Sequence, residues 1–251
     1  MLLENAAEYR GDMARTIDQM PTGVKASAQA RSRPSLASLA LDIQRRQERQ
    51  VYALTPGARA VHDSCVPDKK VIAFLGSPRP RGNTDTLAEA VLEGARSAGC
   101  AAESYALRAL SIHHCTGCGN CGKKGRLCIF RDDGEMLYDA MTAADVFLFV
   151  TPVYWYGPTS IMKTFLDRLV VFNIPEARPR VRGKPAGLVA AWEEKGMEAV
   201  EPMVKLFDMG FRYLELRDAG KLLIDGAGPK DAVRTMSGAL DRARAFGKAL
   251  A

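Results

Sequence analysis

Four of the six cysteines in this chain of 251 residues fall between positions 115 and 128. They read Cys115-Thr-Gly-Cys118-Gly-Asn-Cys121, and Cys128 closes the stretch after six more residues. Three thiols at this spacing, with a fourth close behind, can wrap a compact metal centre in one loop. Glycines at 117, 119 and 122 let the backbone turn between the ligands. Iron–sulfur clusters take cysteine runs of this kind. Structural zinc more often takes two well-separated C-x2-C pairs. Free or redox-active thiols remain a third use of the same residues. His113 and His114 sit just before Cys115 and read as ordinary solvent-facing residues.

Two other stretches carry chemistry. Gly76-Ser77-Pro78-Arg79-Pro80-Arg81-Gly82-Asn83-Thr84 follows an apolar run and precedes a helical pattern. A helix N-terminus offers free N–H groups and the positive end of a dipole, which suit a phosphate. Ser77, Asn83 and Thr84 add donors, and Arg79 and Arg81 add charge. No Gly-Lys-Ser/Thr follows, so this is not a Walker loop. The second stretch is Thr151-Pro152-Val153-Tyr154-Trp155-Tyr156-Gly157-Pro158-Thr159. Three consecutive aromatics beside two prolines offer apolar walls to a flat ring system. A subunit interface would use the same residue types. Gly117, Gly119 and Gly122 spell a dinucleotide fingerprint, but they lie in no tight strand-to-helix turn and are discarded.

These stretches need elements to hold them. Short apolar runs predict strands over 71–75, 102–107, 146–150 and 186–191, with an edge strand over 213–216 extended by 221–224. Helical patterns fall at 84–98, 132–142, 159–171, 196–209 and 231–250. Five strands alternating with five helices imply a doubly wound five-stranded parallel sheet. Right-handed crossovers put every strand-to-helix loop at one edge, where such sheets bind ligands. Loops 76–83, 109–131 and 151–158 are therefore expected to face one crevice.

Residues 1–66 read as a separate N-terminal helical arm, with helices over 6–19 and 35–52, leading into a main domain over 67–251. His62 and Cys65 in the exit linker read as incidental. The net charge of +6 is scattered, which fits an ordinary basic surface better than nucleic-acid binding. No apolar run approaches the ~18 residues of a spanning helix, and the first residues show no secretory pattern. A cytoplasmic location is the expectation, and there clustered cysteines point to metal or redox use rather than disulfides.

GSPRPRGNTDTL (76–87) and TPVYWYGPTSIMKTFLDR (151–168) resemble the two signature stretches of the flavodoxin-like NAD(P)H-dependent FMN reductases. With CTGCGNCGKKGRLC and Asp132-Asp133, the resemblance is closest to the iron–sulfur flavoprotein branch. It covers 69–250 and not the arm. It implies a flavodoxin-like fold and FMN, with the phosphate at Ser77, Arg79, Arg81, Gly82, Asn83 and Thr84. It sets the ring against Pro152, Val153, Tyr154, Trp155 and Tyr156, with Trp192 beside it. It also implies a 4Fe-4S cluster on Cys115, Cys118, Cys121 and Cys128, and a homodimer or homotetramer. Electrons would pass between NAD(P)H or a redox protein and an acceptor. A cluster-free flavin or quinone reductase, a dehydrogenase of a small organic substrate and a non-enzymatic electron carrier are the other readings. No side chain in these loops stands out as an acid or base, so no catalytic residue is assigned.

Overall fold

Alternate residues of each central strand enter different cores, as a sheet covered on both faces requires. Ile72, Phe74, Phe147, Phe149 and Leu188 enter one apolar cluster. Val71, Ala73, Val146, Leu148, Val150 and Val189 enter the other. The structure, a computed structural model, describes residues 69–251. The expected arm, its helices, His62 and Cys65 lie outside the described residues.

The strands are β1 (Lys70–Leu75), β2 (Ala101–Ala106), β3 (Val146–Tyr154), β4 (Gly157–Pro158), β5 (Pro185–Ala191) and β6 (Arg217–Ile224). Five are parallel in the order β2-β1-β3-β5-β6. The two-residue β4 folds back antiparallel on β3. This is the doubly wound flavodoxin-like order, whose direction reverses between β1 and β3. The helices are α1 (Asn83–Ser97), α2 (Gly134–Ala143), α3 (Ser160–Arg168), α4 (Glu201–Tyr213), α5 (Ala232–Thr235) and α6 (Ala239–Ala249). Leu137 of α2, Phe165 of α3 and Phe207 of α4 pack on one face of the sheet. Leu87 of α1 and Ala243 of α6 pack on the other.

Four expectations move, the first being the helix expected over 196–209, which runs instead over Glu201–Tyr213. The final helix is two helices, interrupted at 236–238. The helix expected to reach Val171 ends at Arg168, and a 3-10 turn, Leu169–Asn173, carries it on. The residues expected as an edge strand at 213–216 instead end α4 and turn, and β6 begins at Arg217. Leu214 and Leu216 are buried there, so their apolar character reflects a packed helix end rather than a strand.

Candidate functional site

The loop after β1 forms a tight cradle ahead of α1. Ser77 Oγ donates to the Arg79 carbonyl and accepts from the Arg79 N–H, both at 3.1 Å, which curls the chain into a tight turn. Gly82 precedes α1, and no side chain caps that N-terminus, leaving its N–H groups available. Asn83 is committed elsewhere. Its amide donates to the carbonyls of Ala227 and Pro229 at 2.8 Å each, so both hydrogens are used on a neighbouring loop. Arg81 has φ of +55°, and its N–H donates to Asp85 at 2.9 Å. Its side chain stays outside the crevice. Arg108 reaches across from the end of β2 to the Ser77 carbonyl at 3.3 Å and to Asp85 at 3.0 Å, steadying the cradle.

The loop after β3 is a two-residue hairpin, with Tyr154 paired to Gly157. Trp155 and Tyr156 take φ of +52° and +63°. A type I′ turn needs positive φ at both central positions, where Asn-Gly is the usual solution. Two aromatics there store strain of order 1–3 kcal/mol each. Their side chains point away from the protein, 95% and 59% exposed. Below the tip, Thr159 caps α3 by accepting from the Met162 N–H at 3.2 Å, and its hydroxyl donates to the Gly76 carbonyl at 2.6 Å. The first and third loops are thus joined through a buried hydroxyl.

A crevice opens where these loops meet. Ser77, Arg79, Gly82, Asn83 and Thr84 line one side, and Pro152, Val153 and Tyr154 another. Trp192 contributes, though it is only 4% exposed and its indole N–H donates to the Gly196 carbonyl at 3.1 Å. Trp155, Tyr156 and Arg81 are not part of the lining. Neither is any residue of the cysteine loop, which leaves the same sheet edge farther along, beyond β2. The sequence reading missed Glu193, Ala227, Gly228 and Lys230, which close the remaining wall. Lys230 was the one visible signal among them, a cation beside Gly-Pro.

The cysteine loop is clamped at its base. Ser111 N–H donates to the Asp133 carboxylate at 2.7 Å, and Asp133 N–H donates back to the Ser111 carbonyl at 3.1 Å. Arg168 makes paired bonds to Asp132 at 2.8 and 3.0 Å and one to the His113 carbonyl at 2.6 Å. Asp132 also accepts from His113 N–H at 2.8 Å and Gly134 N–H at 3.0 Å. Burial alone would raise the Asp132 carboxyl. Arg168 and these N–H groups outweigh it and hold the carboxyl below its ordinary value. Phe130 lies under the guanidinium at 5.2 Å and stacks on the His113 ring at 4.2 Å. Gly122, with φ of +77°, sits where a Cβ would come within 2.5 Å of Ile174. No other residue fits that position without displacing Ile174.

Cys128 is buried and Cys118 exposed, with Cys115 and Cys121 between. Burial first, then the charges of Cys128, Cys115 and Cys118, push the Cys121 thiol up. All four sulfurs therefore feel one neighbourhood. The buried Nε of Arg168 has no hydrogen-bond partner among the described residues. The donor set and this spare donor suit an iron–sulfur centre in chemistry. Among the described residues no three His, Cys, Asp or Glu side chains are placed to hold a metal ion.

The family described as NADPH-dependent FMN reductase matches residues 69–227, more than half of the chain. An iron–sulfur flavoprotein of Archaeoglobus fulgidus is 34% identical over 127 residues, covering 51% of this chain and 56% of that protein. An iron–sulfur flavoprotein of Methanocaldococcus jannaschii is 33% identical over 121 residues, covering 48% and 61%. The matches thus span less than two thirds of either relative. Among solved structures, the NAD(P)H:quinone oxidoreductase of Methanothermobacter marburgensis superposes with a TM-score of 0.56 at 17% identity, covering 72% of this chain and 96% of that one. That likeness concerns the fold. No helix among the described residues is long and apolar enough to cross a membrane.

Proposed function

The chain belongs to the NADPH-dependent FMN reductase family, and from that premise we propose an FMN-dependent oxidoreductase of its iron–sulfur flavoprotein branch, built over residues 67–251, with 1–66 as an appended arm. One observation carries the reading. The crevice joins an uncapped helix N-terminus, with two cations beside it, to a wall of proline, valine and tyrosine. An anionic tail and a flat apolar ring need that pairing on one molecule.

In this reading Ser77, Arg79, Gly82, Thr84 and Lys230 hold the phosphate, and Pro152, Val153 and Tyr154 bear the ring. Asn83 acts through position, tying the helix start to the loop after β6. FMN, when bound, supplies acceptance of a hydride or of two electrons and their release one at a time. The protein's part is to bind, orient and shelter it. NAD(P)H or a redox protein is the donor, working from the open side of the crevice. Cys115, Cys118, Cys121 and Cys128 are the residues that would hold a 4Fe-4S cluster. The names of the relatives support that assignment. The second reading is a cluster-free reductase with the same flavin chemistry. A cytoplasmic homodimer or homotetramer completes the proposal.

The test is anaerobic purification of the full chain, followed by flavin, iron and sulfide assays and by NADH and NADPH oxidation with an artificial acceptor. About one FMN per chain with turnover is the expected result, and four irons per chain would select the cluster reading. Protein that stays colourless after FMN is added would end the flavin proposal.

A further inference from the structure

The wall that the sequence reading missed presents a carboxylate to the crevice. Loop 192–196 is stitched to the loop after β6 by bonds on both sides of Glu193. Trp192 N–H donates to the Ile224 carbonyl at 3.1 Å, and Ala227 N–H donates to the Trp192 carbonyl at 2.6 Å. Gly226 N–H donates to the Glu194 carbonyl at 3.1 Å, and Gly196 N–H donates to Asp225 at 2.9 Å. The Glu193 backbone is therefore held in place. Its side chain lies across Gly228, where a Cβ would come within 2.7 Å of Glu193 Cγ. Among the described residues, that carboxylate makes no hydrogen bond or ion pair, even with Lys230 in the same lining.

We propose that Glu193 is a ligand-binding residue that accepts hydrogen bonds from hydroxyls of the sugar-alcohol chain linking the flavin ring to its phosphate. This rests on the flavin reading of the crevice. A free carboxylate in a site for an anion would repel the phosphate, so Glu193 must meet an uncharged donor. Its place selects which donor. Ala191, two residues before it, pairs in register with Pro152 of the ring wall. Gly228, beneath it, follows Ala227, whose carbonyl holds Asn83 at the start of α1. Glu193 thus stands between the ring wall and the phosphate end, where the polyol must pass. Its side chain is exposed and unpaired, but the backbone that carries it is already held, so only side-chain ordering is left for binding.

The experiment uses the apo form of the full chain. Flavin fluorescence gives dissociation constants for FMN, riboflavin and lumiflavin, the last lacking the polyol. Glu193→Ala should weaken FMN and riboflavin by roughly tenfold each, the scale of one hydrogen bond to a charged acceptor. It should leave lumiflavin unchanged. Glu193→Gln, which keeps an oxygen acceptor, should recover part of the loss. Gly228→Ala should mimic Glu193→Ala by pushing the side chain aside, and the double variant should be no worse than either. Arg79→Ala should weaken FMN alone. Unchanged riboflavin affinity in Glu193→Ala, with wild type binding normally, overturns the inference and leaves the flavin reading intact. An equal loss for lumiflavin overturns it too, by moving the contact to the ring. Wild-type protein that binds none of the three flavins sinks the flavin reading itself, and this inference with it.

Discussion

Arg168→Met tests the clamp on the cysteine loop. The guanidinium is 1% exposed and its carboxylate partner about 11%. It makes two bonds to Asp132 and one to the His113 carbonyl, at 2.6–3.0 Å. Methionine keeps much of the apolar stem and leaves Asp132 as a buried charge with only two N–H donors. Removing one partner of a buried pair costs about 3–5 kcal/mol, mostly through the charge left behind. For a chain of this size that is a fall in melting temperature of roughly 6–20 °C. Urea unfolding at pH 7 measures the first quantity and a thermal scan the second. Adding Asp132→Asn should recover part of the loss, because no uncompensated charge then remains. Limited proteolysis should cut within 113–131 faster in the single variant, since the pair grips His113 by both its N–H and its carbonyl. The pH dependence has a definite sign. Asp132 titrates below its ordinary value in the folded state, with Arg168 the chief force overcoming burial. Its contribution is whole above the unfolded value of about 3.9 and is lost as pH falls through the lower folded value. In the variant nothing from Arg168 offsets burial, which raises the same carboxyl, so the gap should be widest at pH 7 to 8, narrow as pH falls toward 5 and close under about pH 4. A loss below about 1 kcal/mol at pH 7, or a gap that closes near neutrality, would refute the reasoning.

Two further expectations concern the crevice walls. Asn83→Ala removes two bonds to the loop after β6 and should lower stability by about 1–3 kcal/mol. It should also weaken FMN binding in titration, although the amide itself faces protein. The paired change Trp155→Asn with Tyr156→Gly should stabilise the chain by about 1 kcal/mol in urea, by giving the hairpin residues that accept positive φ. FMN affinity should hold, because neither aromatic lines the crevice; a tenfold loss would mean that the exposed rings close over the ligand.

The central strands were legible because they are short apolar runs at the spacing a buried parallel sheet demands. The apolar run Val146–Val150, expected as a central strand, opens β3, and β3 stands between β1 and β5. The cradle over 77–84 and the wall over 152–154 were legible for a different reason: each follows a strand directly, and the topology sends such loops to one edge. What failed to show in the sequence was contact between distant segments of small residues. Ala227 and Gly228 have no chemistry of their own. They enter the site because Asn83 bonds to that loop across 144 positions. Arg168 stood inside a stretch quoted for its family likeness, yet nothing local marks an arginine at a helix end as buried. Its partner Asp132 lies 36 residues earlier, so only the fold reveals the pair.

Helix α3 joins the two centres that the sequence suggested. Its N-cap, Thr159, holds the Gly76 carbonyl at the mouth of the loop after β1. Its last residue, Arg168, grips Asp132 and His113 at the base of the cysteine loop. Nine residues at 1.5 Å each separate these functions by only ~13 Å along the helix axis. Met162 and Phe165 between them are fully buried in the core, so the helix cannot slide without opening that packing. A displacement of the cysteine loop that pulls on Arg168 must therefore either break the buried pair or pass to Thr159 and the crevice. The loop and the crevice are separate in their linings but share one rigid support.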